Sequence, residues 1–238
     1  MAFAASFPFP PARPRRSWRA RFRSTLLDLV TAARDRLVAW QADEYTTRGT
    51  EAVVGVIQPG ASWTITGRYG QVLVSTTLPI WDIDIDGGVD IDDEIVLERL
   101  GDAVYGSLPV ELLTEIDRLR VYRTHSGVRV MCPTRTVDLR DPNDWAWFAA
   151  VGKLLGADPI YMRACERQFT CRARLEPKPR RLEAMGLTRP EARAARLIAE
   201  NLTDGVPNFY SERPDLMEQI RVHDQVTEAV HAHHLPLA

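Results

Sequence analysis

Cysteine and lysine are the scarce residues of this 238-residue chain. The three cysteines, Cys132, Cys165 and Cys171, are an odd number in a mid-sized chain. That argues against a disulfide framework and points to a reduced, cytoplasmic setting. Their spacing matches no known zinc pattern, even with His125 added. His231, His233 and His234 sit at the extreme C-terminus and read as frayed surface residues. Lysine occurs only at Lys153 and Lys178, so the remaining basic charge is arginine, which suits forked phosphate recognition. No apolar run approaches the roughly 18 residues of a membrane helix, so no membrane contact is expected. There is no internal repeat. The first 24 residues have arginines, no acids and no continuous apolar stretch, and read as a flexible basic arm rather than a targeting peptide.

What is present is an ordinary globular composition, 45% hydrophobic and 26% charged, with its charge segregated. Six arginines lie in residues 1–24, eight acids and no base in residues 82–98, and seven bases against two acids in residues 163–181. An acidic focus flanked by basic tracts is what a metal-dependent enzyme acting on phosphates needs. Ordinary solvated faces give the same pattern.

The periodicities predict an α+β order. Leu26, Val30, Ala33, Leu37 and Trp40 recur at helical spacing. Short β-like runs follow at Ala52–Ile57, Ser62–Gly67 and Gln71–Thr76, broken by turns at Pro59-Gly60 and Tyr69-Gly70. Ser107-Leu108-Pro109 opens a predicted helix with Leu112, Leu113, Ile116 and Leu119 inward. Leu119–Thr124 and Val128–Cys132 read as a hairpin. Asp141-Pro142 starts a helix that ends at Gly156. Phe169–Leu175 is a predicted strand. Thr188-Arg189-Pro190-Glu191 is a capping-box start to a helix reaching about Leu202, and Pro214 opens a last helix to about His231.

The sharpest feature is Trp81-Asp82-Ile83-Asp84-Ile85-Asp86. Alternation on a strand puts Asp82, Asp84 and Asp86 on one face and Trp81, Ile83 and Ile85 on the other. Clustered carboxylates raise one another's pKa unless a cation sits among them, so the run predicts a hard-metal site. Three readings compete. As a calcium loop, Asp82, Asp84, Asp86, Gly87, Asp90 and Asp93 fall on positions 1, 3, 5, 6, 9 and 12 of the EF-hand pattern, but Pro79 and the β-formers before Asp82 replace the required helix. Asp84-Ile85-Asp86-Gly87 also resembles the nucleophile strand of haloacid-dehalogenase-type phosphatases. Gly88 stands there in place of Thr or Ser, and Lys153 or Lys178 would have to supply the supporting lysine.

The third reading draws on the whole chain. Trp81-Asp82-Ile83-Asp84 resembles the first motif of the archaeo-eukaryotic primase superfamily. Ser126-Gly127-Val128-Arg129 occupies the place of its Ser-x-His motif, with Arg129 where the family has histidine. Ala157-Asp158 fits its third motif, an apolar residue followed by Asp. Arg167 to Arg172 and Pro177-Lys178 resemble its nucleotide- and template-contacting residues. The order holds from about Ala52 to Arg181.

The resemblance implies an α+β primase-like catalytic core at residues 50–182 with a mainly antiparallel or mixed sheet flanked by helices. The basic arm (1–24), an N-terminal helix (25–49) and a C-terminal helical extension (183–238) surround it. It implies metal-dependent nucleotidyl transfer with Mg²⁺ or Mn²⁺, making or extending short strands on a DNA or RNA template. Asp82, Asp84 and Asp158 would be the catalytic metal ligands, with Asp86 in reserve. Ser126, Arg129, Arg172 and Lys178 would bind the nucleotide, and the terminal helices offer a surface for a protein partner. Because Arg129 departs from the family pattern, an inactive primase-like nucleic-acid or partner-binding protein is the alternative, and the calcium loop a second.

Overall fold

A computed structural model of the chain describes residues 52–66, 70–86, 90–107, 116, 118–202, 211–231 and 234–238. The basic arm, the N-terminal helix and most of the helix expected after Ser107 lie outside the described residues. The fold is α+β, with two four-stranded antiparallel sheets and five helices among those residues.

The first sheet has β1 (Ala52–Gln58), β2 (Ala61–Thr66), β3 (Gly70–Ser75) and β7 (Cys171–Arg174) in the order β1-β2-β3-β7. The second has β4 (Ile80–Asp84), β5 (Arg120–Arg123), β6 (Gly127–Met131) and β8 (Arg196–Ala199) in the order β4-β6-β5-β8. The helices are α1 (Asp93–Ser107), α2 (Pro142–Leu155), α3 (Pro159–Gln168), α4 (Pro179–Met185) and α5 (Pro214–Thr227).

Alternation along β4 sets the core. Trp81 and Ile83 are buried on one face, while Asp82 and Asp84 emerge on the other. Trp81 stacks on Phe148 of α2 at 5.1 Å and donates its indole N–H to the Phe148 carbonyl at 3.1 Å. That bond satisfies the one polar atom of a fully buried side chain, so truncating Trp81 would cost about 3–5 kcal/mol. Helix α2 starts as its sequence predicts. Asp141 accepts from the N–H groups of Asn143 and Asp144, Pro142 fills the first turn, and Gly156 closes the helix at φ 74°.

The edge strands β4 and β7 are joined by side chains. The Tyr161 hydroxyl of α3 accepts from the Arg172 N–H at 3.2 Å and lies 3.0 Å from the Ile80 carbonyl. Helix α5 adds Gln219, whose amide donates to Thr77 Oγ1 at 3.0 Å.

Three expectations are corrected. The helix predicted from Thr188 is a three-residue 3-10 turn, Arg189–Glu191. Its capping box forms, but Ala192 is already extended at φ −143° and ψ 163°, and the chain continues into β8. There Tyr122 faces Leu197 and Arg123 faces Arg196, so pairing with the open edge of β5 outweighs the local helical preference. Within the segment after residue 182, expected to be helical, Arg196–Ala199 thus joins the second sheet, while the helix expected from Pro214 is present as α5. Helices α1, α3 and α4 are the second difference, since no helix was predicted in their place. The third concerns the calcium loop. Asp82 and Asp84 lie on a strand, and Asp93 begins α1 with its carboxylate 2.7 Å from Arg196 and 3.6 Å from Arg123. Among the described residues, Asp82 is thus reached by a strand and not by the entering helix of an EF-hand, and Asp93 is engaged by arginines.

Candidate functional site

A cleft of about 440 Å³ opens where the two sheets meet. Asp82 and Asp84 reach it from β4, Ser126 and Arg129 from the β5–β6 hairpin, Asp158 from the start of α3, Arg172 from β7, and Lys178 from the residue before α4. All seven residues picked from the sequence line it. Asp86, the reserve acid, does not: it is exposed in the turn after β4. Arg174 and Arg181 were not picked, and they also line the cleft. Alternation marks the first of them, because Arg172 and Arg174 stand on one face of β7 while Cys171 and Ala173 are buried on the other.

The register of β4 on β6 explains the centre of the site. Asp82 and Arg129 are directly opposed on β4 and β6. Arg129 Nε donates to Asp82 Oδ1 at 2.9 Å and Nη2 to Oδ2 at 3.4 Å, a forked pair. Its Nη1 donates to the Arg174 carbonyl at 3.0 Å, which ties β6 to β7. The guanidinium is buried, with a side-chain exposure of 4%. Behind it, the imidazole Nε2 of His223 from α5 lies 3.4 Å from Nη1. No sequence motif pointed to His223, because it comes from a helix 94 residues beyond Arg129.

Asp158 is held at the site by its main chain, whose N–H donates to the Asp82 carbonyl at 2.8 Å. Its carboxylate caps α3, Oδ1 accepting from Ile160 N–H at 3.0 Å and Oδ2 from Tyr161 N–H at 3.3 Å. Asp84 is the remaining acid. Burial pushes its carboxyl above the usual range, and the nearby charges of Asp158 and Asp82 push it further, against the pull of Lys178 and Arg181.

Around these acids the cleft is basic: Arg129, Arg172, Arg174, Lys178 and Arg181 face three carboxylates. Burial and the repulsion of Arg174 and Arg181 lower Lys178 to about 8. Burial and Arg174 likewise lower Arg181, whose Nη2 donates to Ser126 Oγ at 2.5 Å. Cations crowded until they give up protons more readily form a site that an anion relieves.

Of the three acids that the primase resemblance implies as metal ligands, Asp82 and Asp158 are already engaged by other groups. Both oxygens of Asp82 accept from Arg129, and both of Asp158 accept from N–H groups at the start of α3. Among the described residues, no group of three or more His, Cys, Asp or Glu side chains is placed to hold a metal ion. Nor is any helix among them long and apolar enough to cross a membrane. Compared with known proteins, the chain matches no family model, no curated protein and no solved structure.

Proposed function

We propose that this chain binds nucleoside triphosphates and single-stranded nucleic acid through their phosphates, on a primase-like core in which an arginine does the work of a cation. One observation carries the reading: the buried guanidinium of Arg129 forks onto Asp82 at the centre of the cleft. A fixed positive group among the acids makes a divalent ion redundant for charge balance and blocks the carboxylate that would ligate it. Arg174, Lys178 and Arg181 then supply the charge that meets phosphate oxygens, and Ser126 adds a hydroxyl beside them.

The proposal concerns recognition rather than strand synthesis. The competing reading, metal-dependent nucleotidyl transfer, draws on the electrostatic closeness of Asp84 to Asp82 and Asp158. Fluorescence anisotropy with a labelled triphosphate and a labelled oligonucleotide separates the two. Binding that persists in EDTA and weakens with salt, without incorporation of labelled NTP or dNTP in Mn²⁺, is the expected result. Arg181→Ala and Lys178→Ala would each flatten the oligonucleotide salt slope by roughly 0.7–0.9. Incorporation abolished by the Asp82→Ala/Asp84→Ala double change would return the catalytic reading. Absence of any binding at low salt would refute the proposal.

A further inference from the structure

Phe169 occupies the C-cap of α3 in the left-handed region, at φ 53°, and keeps 41% of its surface exposed. Glycine is the residue expected at such a cap, because a Cβ crowds the following carbonyl there. A bulky aromatic in this conformation is unfavourable, and its exposure forgoes a substantial part of the burial that would offset the strain. Backbone strain of this kind concentrates where a side chain is used. The ring has a cationic neighbour, with the guanidinium carbon of Arg140 5.8 Å from its centroid. On either side of it in the chain, Gln168 and Thr170 line the cleft. The Gln168 Oε1 and Thr170 Oγ1 atoms are both buried with no hydrogen-bond partner. Phe169 and Arg140 do not themselves line the cleft, but the exposed ring is next in the chain to two residues that do, each with an unmet polar atom, and a base stacked on it would leave its N–H donors beside them.

We infer that Phe169, backed by Arg140, is a stacking platform for a nucleobase of a single strand whose phosphates enter the cleft. The inference rests on the phosphate reading above and names what that reading leaves open, a contact to the base. Stacking is tolerant of base identity, so the platform confers a preference for single-stranded over duplex nucleic acid without sequence preference.

The test compares a ten-nucleotide oligo-dT, an abasic strand of equal length and inorganic triphosphate on the full chain. The unaltered protein is expected to bind oligo-dT at least tenfold more tightly than the abasic strand. Phe169→Ala should remove that difference by weakening oligo-dT alone, roughly 5- to 150-fold, since stacking contributes about 1–3 kcal/mol per base. Phe169→Trp should retain it. Phe169→Gly supplies a second signature: relief of the left-handed strain should raise the thermal midpoint while base-dependent binding is lost. If the unaltered protein binds triphosphate and both strands but Phe169→Ala leaves oligo-dT binding unchanged, the platform is wrong and the phosphate site stands. If it binds none of the three, both fail.

Discussion

His223 Nε2 stands 3.4 Å from Arg129 Nη1, while His223 Nδ1 stands 3.0 Å from Asp224 Oδ1. A neutral imidazole serves both partners at once. Nδ1–H donates to the carboxylate and Nε2 accepts from the guanidinium, a tautomer assigned from these partners. The Tyr122 ring meets the imidazole edge-on at 4.7 Å. Arg129 is thereby held from three sides, by Asp82, by the Arg174 carbonyl and by His223.

That arrangement makes stability depend on pH. Burial, aided by Arg129, holds the His223 pKa below 6.5 against the pull of Asp224 and Asp82. Below pH 6.5 the unfolded chain therefore takes up a proton that the folded chain refuses, so stability falls as pH drops from 6.5 toward the folded pKa. Asp84 has the opposite sign: its raised carboxyl binds protons better when folded, so its share of stability declines as pH rises above 3.8. Urea unfolding of the unaltered chain and of His223→Gln between about pH 5 and 7.5 isolates the histidine, because Asp84 is common to both. The glutamine variant should show the flatter dependence. Parallel curves would show that His223 is not the titrating group.

The Arg129–Asp82 pair is unequal in its burial, with side-chain exposures of 4% and 36%. Removing Asp82 strands a buried guanidinium amid four other cations, whereas removing Arg129 leaves a carboxylate that water reaches. Asp82→Ala is thus expected to cost about 3–5 kcal/mol and Arg129→Met clearly less, read from denaturant midpoints at pH 7. The reverse order would mean that the packing of Arg129, not its charge, holds the site.

The sequence revealed the cleft better than the fold. Alternation on β4 and β7 and the Asp141 and Gly156 signals of α2 are local, and local patterns are legible in one chain. Asp82 and Asp84 are legible because a strand run carries its own spacing, whereas Arg129 and Asp158 enter only through the primase resemblance. His223 and Tyr161 were not found, since each acts through a contact across the fold. Asp158, a metal ligand by the resemblance, caps α3 with its carboxylate, because Pro159 opens the first turn directly after it. The stretch from Ala192 to Ala199 misled for the complementary reason: its helical composition is overridden by an edge of β5 that only the tertiary structure creates.

Gly127 is a fixed point of the hairpin. A Cβ there would lie 2.0 Å from the Ile83 carbonyl oxygen and 3.0 Å from Asp84 Cα, both main-chain atoms that cannot swing aside. Gly127→Ala must therefore part β4 from β6 at the positions that aim Asp84 into the cleft. The expected loss is about 3 kcal/mol or more, as for other overpacked sites, with anion binding weakened in whatever protein still folds. A variant with unchanged thermal midpoint would place the two strands further apart than described.

Lys178 gives the cleft a titration of its own. Burial, Arg174 and Arg181 lower its ammonium to about 8, so near that pH half of the molecules carry a neutral amine. Phosphate binding that uses this charge should be full below pH 8 and fall as pH rises through it, and a bound anion should shift the midpoint upward by stabilising the ammonium. The scarcity of lysine makes the group easy to follow, because Lys153 is the only other one and lies exposed on α2. Labelling with trinitrobenzenesulfonate, read by mass spectrometry, should modify Lys178 with a midpoint near pH 8 and be suppressed by triphosphate, while Lys153 is labelled equally with and without it. Labelling of Lys178 that triphosphate leaves untouched would put the ligand's phosphates elsewhere than beside Arg174 and Arg181.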